Sequence, residues 1–356
     1  MQKKILTAAV AAAFLAPAAV MAQSTVVLYG LVDVGYQNVS RYAAGSLNHS
    51  GFGSGGARSS RLGARATEDL GGGLSARAVI EFDIAGDTGA TSAAGMTQRQ
   101  TFVSLDSKSW GELSLGRQLT HSFGNVAMAE GIAGANSFQT FFGMEDQIVR
   151  SSNYLKYSSP VIGGGFTFGI GAAPGESATA GTKNHGNYLD MHARWAQGPF
   201  GIGLGHARTR TNTSVLADFT EKDTSLAAYY KFSGWRIFGV HSRSTQGGTG
   251  AAESLRTNGA RVEMDIGKGV LAFSVAARKN KLAGVVDGDS SFWGIGYYHQ
   301  MTTRTQFYAT YGRMKNENGA PGTGAGAAAL GLGGQWAPTT AGFDPRGFSV
   351  GMGHSF

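Results

Sequence analysis

Two short glycine motifs in this sequence match patterns that carry chemistry in enzymes. The first, Gly347-Phe348-Ser349-Val350-Gly351, fits G-x-S-x-G, in which the serine is a nucleophile on a sharp turn between a strand and a helix. Only seven residues follow Ser349, which leaves no room for that helix. Phe348, Val350 and Met352 alternate with small residues as in a strand. We therefore expect Ser349 to be a strand residue without a catalytic role.

The second motif, G-x-G-x-x-G at 51–56, resembles a phosphate-binding turn. Such a turn needs a helix directly after it, and a glycine-rich polar stretch surrounds this one, so we expect a flexible external loop. The eight histidines show no H-x-x-x-H or H-E-x-x-H spacing. No pair of acids has the context of a glycosidase. The sequence therefore predicts no enzyme activity, no cofactor and no metal site.

Composition indicates an unusual environment for apolar side chains. Of 356 residues, 56 are glycine and none is cysteine, while only 15% are charged, well below the usual quarter. Without disulfides the chain must be held by extensive main-chain pairing. No stretch after residue 22 offers 18 consecutive apolar residues, which excludes a transmembrane helix there. The remaining way to cross a membrane is a closed β-barrel.

The first 22 residues have the three parts of a secretory signal peptide: a basic start, an apolar middle and a small-residue site ending at Ala22. A retained membrane anchor is the alternative, but the segment is short and contains Pro17. We expect residues 1–22 to be cleaved and 23–356 to form one domain. Loss of Lys3 and Lys4 lowers the formal charge from +7 to +5 (7 − 2). Export argues against nucleic acid as the partner of this basic chain.

A period of two recurs along the whole chain, and the helical period is almost absent. In 74–84 one face is apolar, whereas the other carries Ser75, Arg77, Glu81 and Asp83. The same alternation appears at 26–38, 188–196 and 255–266. The polar face carries too many charges to be a buried core, and many strands repeat it. It must therefore be in contact with water.

Turn signals divide the chain into sixteen strands, joined alternately by seven short turns and eight long stretches. Short turns on one rim and long loops on the other are typical of outer-membrane barrels, with both termini at the short-turn, periplasmic rim. Apolar residues then face lipid and charged residues face water. Sixteen strands leave an aqueous channel. The long stretches are 40–58, 85–97, 118–148, 174–186, 211–221, 246–254, 282–289 and 316–345.

Several motifs resemble the general porins of Gram-negative outer membranes, in particular the β-proteobacterial type. They follow in order across the chain: VVLYGLVDVGY, SSRLGARATEDLGGGLSARAVIEFD, RQTFVSLDSKSWGELSLGRQ, NYLKYSSPVIGGGFTFG and the terminal GFSVGMGHSF. The resemblance implies a homotrimer of sixteen-stranded antiparallel barrels, with the third long loop folded inward to narrow each channel. It also implies that the last strand, ending in Phe356, is the recognition signal for the barrel assembly machinery.

Candidate constriction residues follow from strand phase. Alternation places Arg61 and Arg65 on the face of their strand opposite to Leu62 and Ala64. In the same way it places Arg99 on the face opposite to Gln100 and Phe102. It places Arg150 and Lys156 on the face opposite to Leu155 and Tyr157. The resemblance implies that Arg61, Arg99 and Arg150 form the basic wall cluster that faces the inward loop, here 119–148. That loop carries Glu130, Glu145 and Asp146 and no Lys or Arg.

A basic wall opposite an acidic loop predicts a transverse field and a modest anion preference. Each arginine could instead be merely hydrated or paired, and Glu130 could instead fix the loop. Arg77 is expected to pair with Glu81 and Asp83. Arg117 is out of phase with Glu112, Ser114 and Gly116, and its role stays open.

The expected function is a water-filled outer-membrane channel for passive diffusion of small hydrophilic solutes and ions. The expected partners are two further copies of the chain, outer-membrane lipid and lipopolysaccharide, and the assembly machinery. One alternative is a substrate-specific channel of similar build, although the chain shows no clear aromatic track. Another is a barrel with an added adhesin role through loops 40–58 and 316–345.

Overall fold

The chain folds into one antiparallel sheet. The computed structural model describes residues 24–40, 48–90, 99–132, 137–141, 144–145, 147–176, 185–214, 217–248, 253–282, 289–316 and 344–356. The strands are β1 (Thr25–Ser40), β2 (Asn48–Ser54), β3 (Arg61–Gly71), β4 (Leu74–Asp83), β5 (Gln100–Ser107), β6 (Gly111–Leu119), β7 (Arg150–Ser158), β8 (Phe166–Ala173), β9 (Asn187–Gln197), β10 (Phe200–Ser214), β11 (Ala217–Phe232), β12 (Trp235–Gly248), β13 (Glu253–Ile266), β14 (Gly269–Leu282), β15 (Ser290–Gln300), β16 (Thr305–Asn316) and β17 (Arg346–Ser355).

Sixteen of these strands close into a barrel. From β3 to β17 each strand pairs with the next, β3 also pairs with the first half of β1, and β17 pairs with β1 from Leu31↔Ser355 to Ser40↔Arg346. The additional strand β2 pairs with the second half of β1. Closure satisfies the main-chain hydrogen bonds of the first and last strands, which would otherwise form open edges. The predicted sixteen-stranded barrel is confirmed.

Strand alternation separates two environments. On β1 the outward residues Val26 and Leu28 are 67% and 72% exposed, whereas Asp33 and Gln37 on the lumenal face are 1% and 4% exposed. The same pattern continues on β17, where Phe348 and Val350 point outward. An apolar outer face with a polar inner face requires hydrocarbon outside the barrel.

Short turns lie at one rim, together with the start of β1 and the end of β17. Gly71, Gly72 and Gly73, which join β3 to β4, all have positive φ (82°, 61° and 81°), a conformation that side chains with a β-carbon rarely adopt. The predicted loop 211–221 is mostly strand, because β10 continues to Ser214 and β11 begins at Ala217. Likewise β2 occupies part of the predicted loop 40–58.

The segment between β6 and β7 enters the lumen. It begins with a short helix, α1 (His121–Val126), whose N-cap Thr120 accepts a hydrogen bond from the Phe123 backbone, and continues in a 3-10 turn, Ala127–Ala129. Its apolar side chains, including Phe138, Phe141 and Met144, pack against lumenal residues of β11 to β16 such as Phe292. None of the described helices is long and apolar enough to cross a membrane.

Strand β5 has the opposite phase from the one expected. Gln100 pairs with Glu81, and Phe102 pairs with Val79, so both face the lumen. Thr101 and Val103 face outward, with Val103 59% exposed. Arg99 precedes the first paired residue of β5 and turns inward, so counting alternation from Arg99 gives the wrong face.

Candidate functional site

Three of the expected wall arginines lie together on the lumenal side of β3 to β7. Arg99 is held by two carboxylates, with Nε 2.6 Å from Glu81 and Nη1 3.4 Å from Asp83. Arg61 and Arg150 both interact electrostatically with Arg99 and Glu81. Neither makes a salt bridge within the described part of the chain, and the Arg150 Nε is buried there without a hydrogen-bond partner. Their charge is therefore only partly balanced.

Two further arginines extend this group. Arg65 lies near Tyr29, whose hydroxyl donates to Glu81 Oε2 at 3.2 Å. Arg58 interacts with Arg61 from the segment between β2 and β3. We call Arg58, Arg61, Arg65, Arg99 and Arg150 the basic cluster. With Glu81 and Asp83 as its two carboxylates, its formal charge is +3 (5 − 2), which favours anions in the adjacent water.

Lys156 lies apart from the basic cluster. Its ammonium donates to the Leu119 carbonyl at 3.4 Å and interacts with Glu112 and Arg77, closer to the short-turn rim. Arg77 pairs with Asp106 at 3.0 Å and with Glu112, not with Glu81 and Asp83 as expected. These four groups form a nearly balanced network on β4 to β7.

The loop acids lie against the far wall. Glu145 Oε2 accepts a hydrogen bond from Ser242 of β12, and Glu130 interacts electrostatically with Arg261 of β13. Asp146 lies outside the described residues. The two described acids are thus next to β12 and β13, whereas the basic cluster is on β3 to β7 and the segment preceding β3.

Two polar anchors hold the inward loop to that far wall. Asn125 Nδ2 donates to the Gly203 carbonyl and to Ser225, at 3.0–3.2 Å, which ties α1 to β10 and β11. Arg261, completely buried, donates to Thr140 of the loop at 3.1 Å and to Ser274 at 3.0 Å. The loop is therefore fixed to one side of the lumen, which leaves the basic cluster facing the open side.

A buried histidine pair lies at the root of the loop. The Nδ1 atoms of His121 and His192 are 2.8 Å apart, and His121 Nε2 is 2.9 Å from the Tyr157 carbonyl. Burial is the main cause that lowers the pKa of His121, to about 4, and nearby Lys156 and Arg194 add to it. His121 is therefore neutral at pH 7. Within the described residues no cluster of His, Asp or Glu could hold a metal ion.

Sequence reasoning missed a second inward segment. Residues 55–60 separate β2 from β3 and turn toward Asp33, whose carboxylate accepts the backbone N–H groups of Gly56 (3.0 Å), Ala57 (3.3 Å) and Arg58 (3.0 Å). Tyr308 donates to the same carboxylate at 2.6 Å. In the sequence, the lumenal Asp33 and the glycine-rich stretch that follows it are the features that indicate this segment. Alternation cannot predict the position of residues 55–60, because they lie between two strands.

The last strand completes the barrel wall. Phe356 exchanges two backbone hydrogen bonds with Gly30, each 3.0 Å long, and its ring covers Gly30 so closely that a β-carbon there would overlap it. Ser349 is fully buried on the lumenal face. In this structure Ser349 is a wall residue of a strand, not part of a strand–turn–helix elbow.

A sixteen-stranded barrel with an apolar exterior, a charged lumen and an inward loop defines the class of outer-membrane channels. The model of the Gram-negative porin family matches residues 7–319 of this chain. The chain therefore belongs to the Gram-negative porins, and it forms a water-filled channel in the outer membrane.

Comparison with proteins of known sequence or structure supports this family assignment. The chain is 33% identical to outer membrane porin protein 32 of Delftia acidovorans over all of both chains. It is 28% identical to an outer membrane porin protein of Bordetella pertussis, over 89% of this chain and 95% of that one. The structure of an anion-selective porin from Comamonas acidovorans matches with TM-score 0.79 and 28% identity, over 94% and 100% of the two chains.

Proposed function

We propose that this porin prefers anions, and that the basic cluster sets this preference. The supporting observation is its charge of +3, concentrated on one side of the lumen while the inward loop is fixed to the other. In the water-filled channel such a cluster raises the local concentration of small anions. The anion selectivity named for the Comamonas structure is consistent with this proposal.

Within the cluster, Arg61 and Arg150 carry most of the proposed effect. Arg99 is doubly paired to Glu81 and Asp83, so its charge is largely balanced. Lys156, Glu130 and Glu145 are remote from the cluster and should influence selectivity less. The sequence predicts one constriction that contains all these residues, and we propose that Arg61 and Arg150 dominate it.

Ion selectivity of the purified protein in a planar bilayer tests the proposal. In a KCl gradient the reversal potential should show chloride preference. Arg61→Ala with Arg150→Ala should lower the chloride-to-potassium permeability ratio by up to about thirtyfold at low ionic strength, because a unit charge about 8 Å from an ion's path contributes roughly 0.5 kcal/mol in water, with opposite signs for chloride and potassium. A matched control removes two charges from exposed turns, Lys108→Ala with Lys268→Ala.

Cation preference of the unaltered protein, or equal ratios in the double variant and its control, would contradict the proposal. Flux that saturates with one solute would instead favour the alternative of a substrate-specific channel. The adhesin alternative predicts cell binding that is lost when loop 316–345 is shortened.

We further propose a homotrimer, with residues 1–22 removed on export. The supporting feature is an apolar outer groove of about 500 Å³ over β3 to β7, whose walls include the small residues Ala66, Ala76 and Ala78 and the larger Leu105 and Leu113. Small outward residues allow close approach of another barrel. Mass measurement of the detergent-solubilised protein distinguishes trimer from monomer.

A further inference from the structure

A recess in the lumenal wall lies next to the inward loop, on its short-turn side. Its volume is about 420 Å³, within the range of roughly 300–1,000 Å³ that is typical of small-molecule sites. Its walls come from the 3-10 turn after α1, the residues that follow this turn, and the short-turn ends of β11 to β14. Lys231 and Arg236 flank the turn that joins β11 to β12, which places the recess at the periplasmic end of the channel. We call it the far-wall recess.

Apolar side chains line most of the far-wall recess, although it opens into a polar lumen. Tyr229 and Phe238 are directly paired on β11 and β12, with ring centroids 6.3 Å apart. Apart from the buried Phe238, the apolar lining is half-buried, so part of its surface is in contact with the water of the channel. An apolar group that displaced this water would be stabilised by the hydrophobic effect. The apolar lining consists of Ala127, Met128, Ile132, Tyr229, Phe238 and Val270.

Hydrogen bonds fix the loop side of the recess. The buried carboxylate of Glu263 accepts the Ile132 N–H at 2.6 Å and the Arg236 Nε–H at 2.9 Å. Gly131 has a φ of 62°, and a β-carbon there would overlap Glu263 Oε1, so a glycine is needed for the loop to approach this closely. The walls are therefore held in place without a bound solute, which lowers the entropic cost of binding one.

One cation of the recess has no carboxylate partner. Arg236 is held by two carboxylates, that of Glu263 and, through Nη2 at 2.5 Å, that of Asp265. Lys231 lies directly opposite Arg236 on the neighbouring strand and makes no salt bridge within the described part of the chain. Its ammonium lies 4.7 Å from the centre of the Tyr229 ring, at the edge of the apolar lining. The charged residues that line the recess, Lys231, Arg236 and Glu263, sum to +1 (2 − 1).

This combination favours an amphipathic anion over other small solutes. A sugar needs hydrogen-bond partners around its hydroxyl groups, whereas Arg236 and Glu263 are already paired with each other. An inorganic anion could accept from Lys231 but would gain nothing from the apolar lining. A small organic carboxylate with an apolar body can use both the ammonium and the lining.

We propose that the far-wall recess binds small monocarboxylates with an apolar or aromatic body. The carboxylate accepts a hydrogen bond from Lys231, and the body packs on Met128, Ile132 and Tyr229. An aromatic body would also contact the Met128 sulfur, and such contacts are favourable. The recess shares no residue with the basic cluster, so this site goes beyond the ion selectivity proposed above and can be tested separately from it.

Block of single-channel current by benzoate, measured on the purified full-length protein, tests the proposal. Benzoate carries both the charge and the ring, whereas acetate lacks the ring and benzamide lacks the charge. At low ionic strength benzoate should block at about a threefold lower concentration than benzamide, the effect of one exposed ion pair. Acetate at the same concentrations should leave the current unchanged. Acetate block as strong as that by benzoate, or benzamide block as strong, would overturn the proposal.

Two variants of the recess separate its two parts. Lys231→Gln should weaken benzoate block about threefold and leave benzamide block unchanged. Met128→Gln should weaken block by both compounds about fourfold, the contribution of roughly one buried methylene group. The matched control is Lys268→Gln, which removes a lysine from the neighbouring short turn, between β13 and β14. Heat-modifiable gel mobility equal to that of the unaltered protein checks the folding of each variant.

Equal benzoate block in Lys231→Gln and in Lys268→Gln would overturn the proposal. Benzoate block that disappears in Arg61→Ala with Arg150→Ala, but persists unchanged in both recess variants, would also overturn it, because benzoate would then bind the basic cluster.

Discussion

Individual lumenal arginines differ in how far neighbouring carboxylates balance their charge. Arg61 and Arg150 make no salt bridge within the described residues, whereas Arg99 is paired with two carboxylates although all three belong to the same cluster. Strand alternation could predict that Arg61 and Arg65 face the lumen, because β3 is regular. It could not predict the pairing of Arg77 with Asp106 and Glu112, which depends on the register between separate strands. Register is fixed by closure and turn geometry, beyond the reach of the alternation pattern.

The histidine pair predicts acid sensitivity of the inward loop. The pKa of His121 is about 4 in the folded loop, against an ordinary value near 6.5, so attachment is fully stable above pH 6.5 and weakens as the pH falls toward 4. The loss amounts to about 3 kcal/mol. Protonation would add a cation beside His192, Lys156 and Arg194, with Asp190 and Glu112 as the nearby carboxylates.

Single-channel recording between pH 7 and 4 measures this effect as a rise in current fluctuations or closures. His121→Gln should shift or abolish the rise, because the amide does not titrate. His354→Gln, an exposed histidine of the outer surface, is the control. The same pH profile in the His121 variant and the unaltered protein would show that the pair is not the sensor.

Among elements, the strands were predictable and the lumenal segments were not. Alternation over ten residues, as in 74–84, identifies a strand and both of its faces. The inward course of 119–148 was inferred from resemblance alone, since its short helix and 3-10 turn have no extended period. The β5 phase was predicted wrongly because Arg99 precedes the paired strand and turns inward before the alternation of β5 begins.

Removal of the Asp33 carboxylate should release the segment 55–60. Asp33→Ala leaves three backbone N–H groups and the Tyr308 hydroxyl without their acceptor. Each buried polar group left unpaired costs about 1–3 kcal/mol. We expect faster hydrogen exchange in 55–60, measured by mass spectrometry, together with an altered conductance because Arg58 moves.

The control for this change is Asp87→Ala, at an exposed loop position. Asp33→Asn should give an intermediate exchange rate, since its amide oxygen can still accept. Unchanged protection of 55–60 in the alanine variant would show that other contacts hold the segment.

For the whole molecule, composition and alternation predicted the architecture. Hydrocarbon outside the barrel and water inside it require opposite kinds of side chain on the two faces of each strand. A chain with 15% charge and no cysteine satisfies the hydrogen bonds of its main chain by closing one sheet. On β1 and β17 the apolar exterior has the expected phase, and β5 is the exception. The adjacency of the outward cations Arg243, Arg256 and Lys279 was not recognised from the sequence. They lie on three different strands, and their adjacency appears only when the register is known.

Phe356 is the position at which assembly of the whole barrel should be most sensitive. Deleting it removes both backbone bonds to Gly30 and the ring that covers that glycine. We expect lower yield of folded protein in the outer membrane, measured by heat-modifiable mobility of membrane fractions. Phe348→Ala, near the start of the same strand, serves as a control that retains the terminal pairing. Equal yields of the deletion and the unaltered protein would contradict the predicted assembly role.

The bond between Asp33 and Tyr308 also links two strands that are far apart in the chain. The two residues are 275 positions apart, and bringing such distant sites together costs about 5 kcal/mol of chain entropy, plus a constant, before any contact forms. A nascent chain that has completed β1 to β3 still lacks β16, so one of the four donors to the carboxylate is missing until nearly the whole sheet exists. Protection of the peptide bond after Arg58 from trypsin therefore reports how far insertion has progressed.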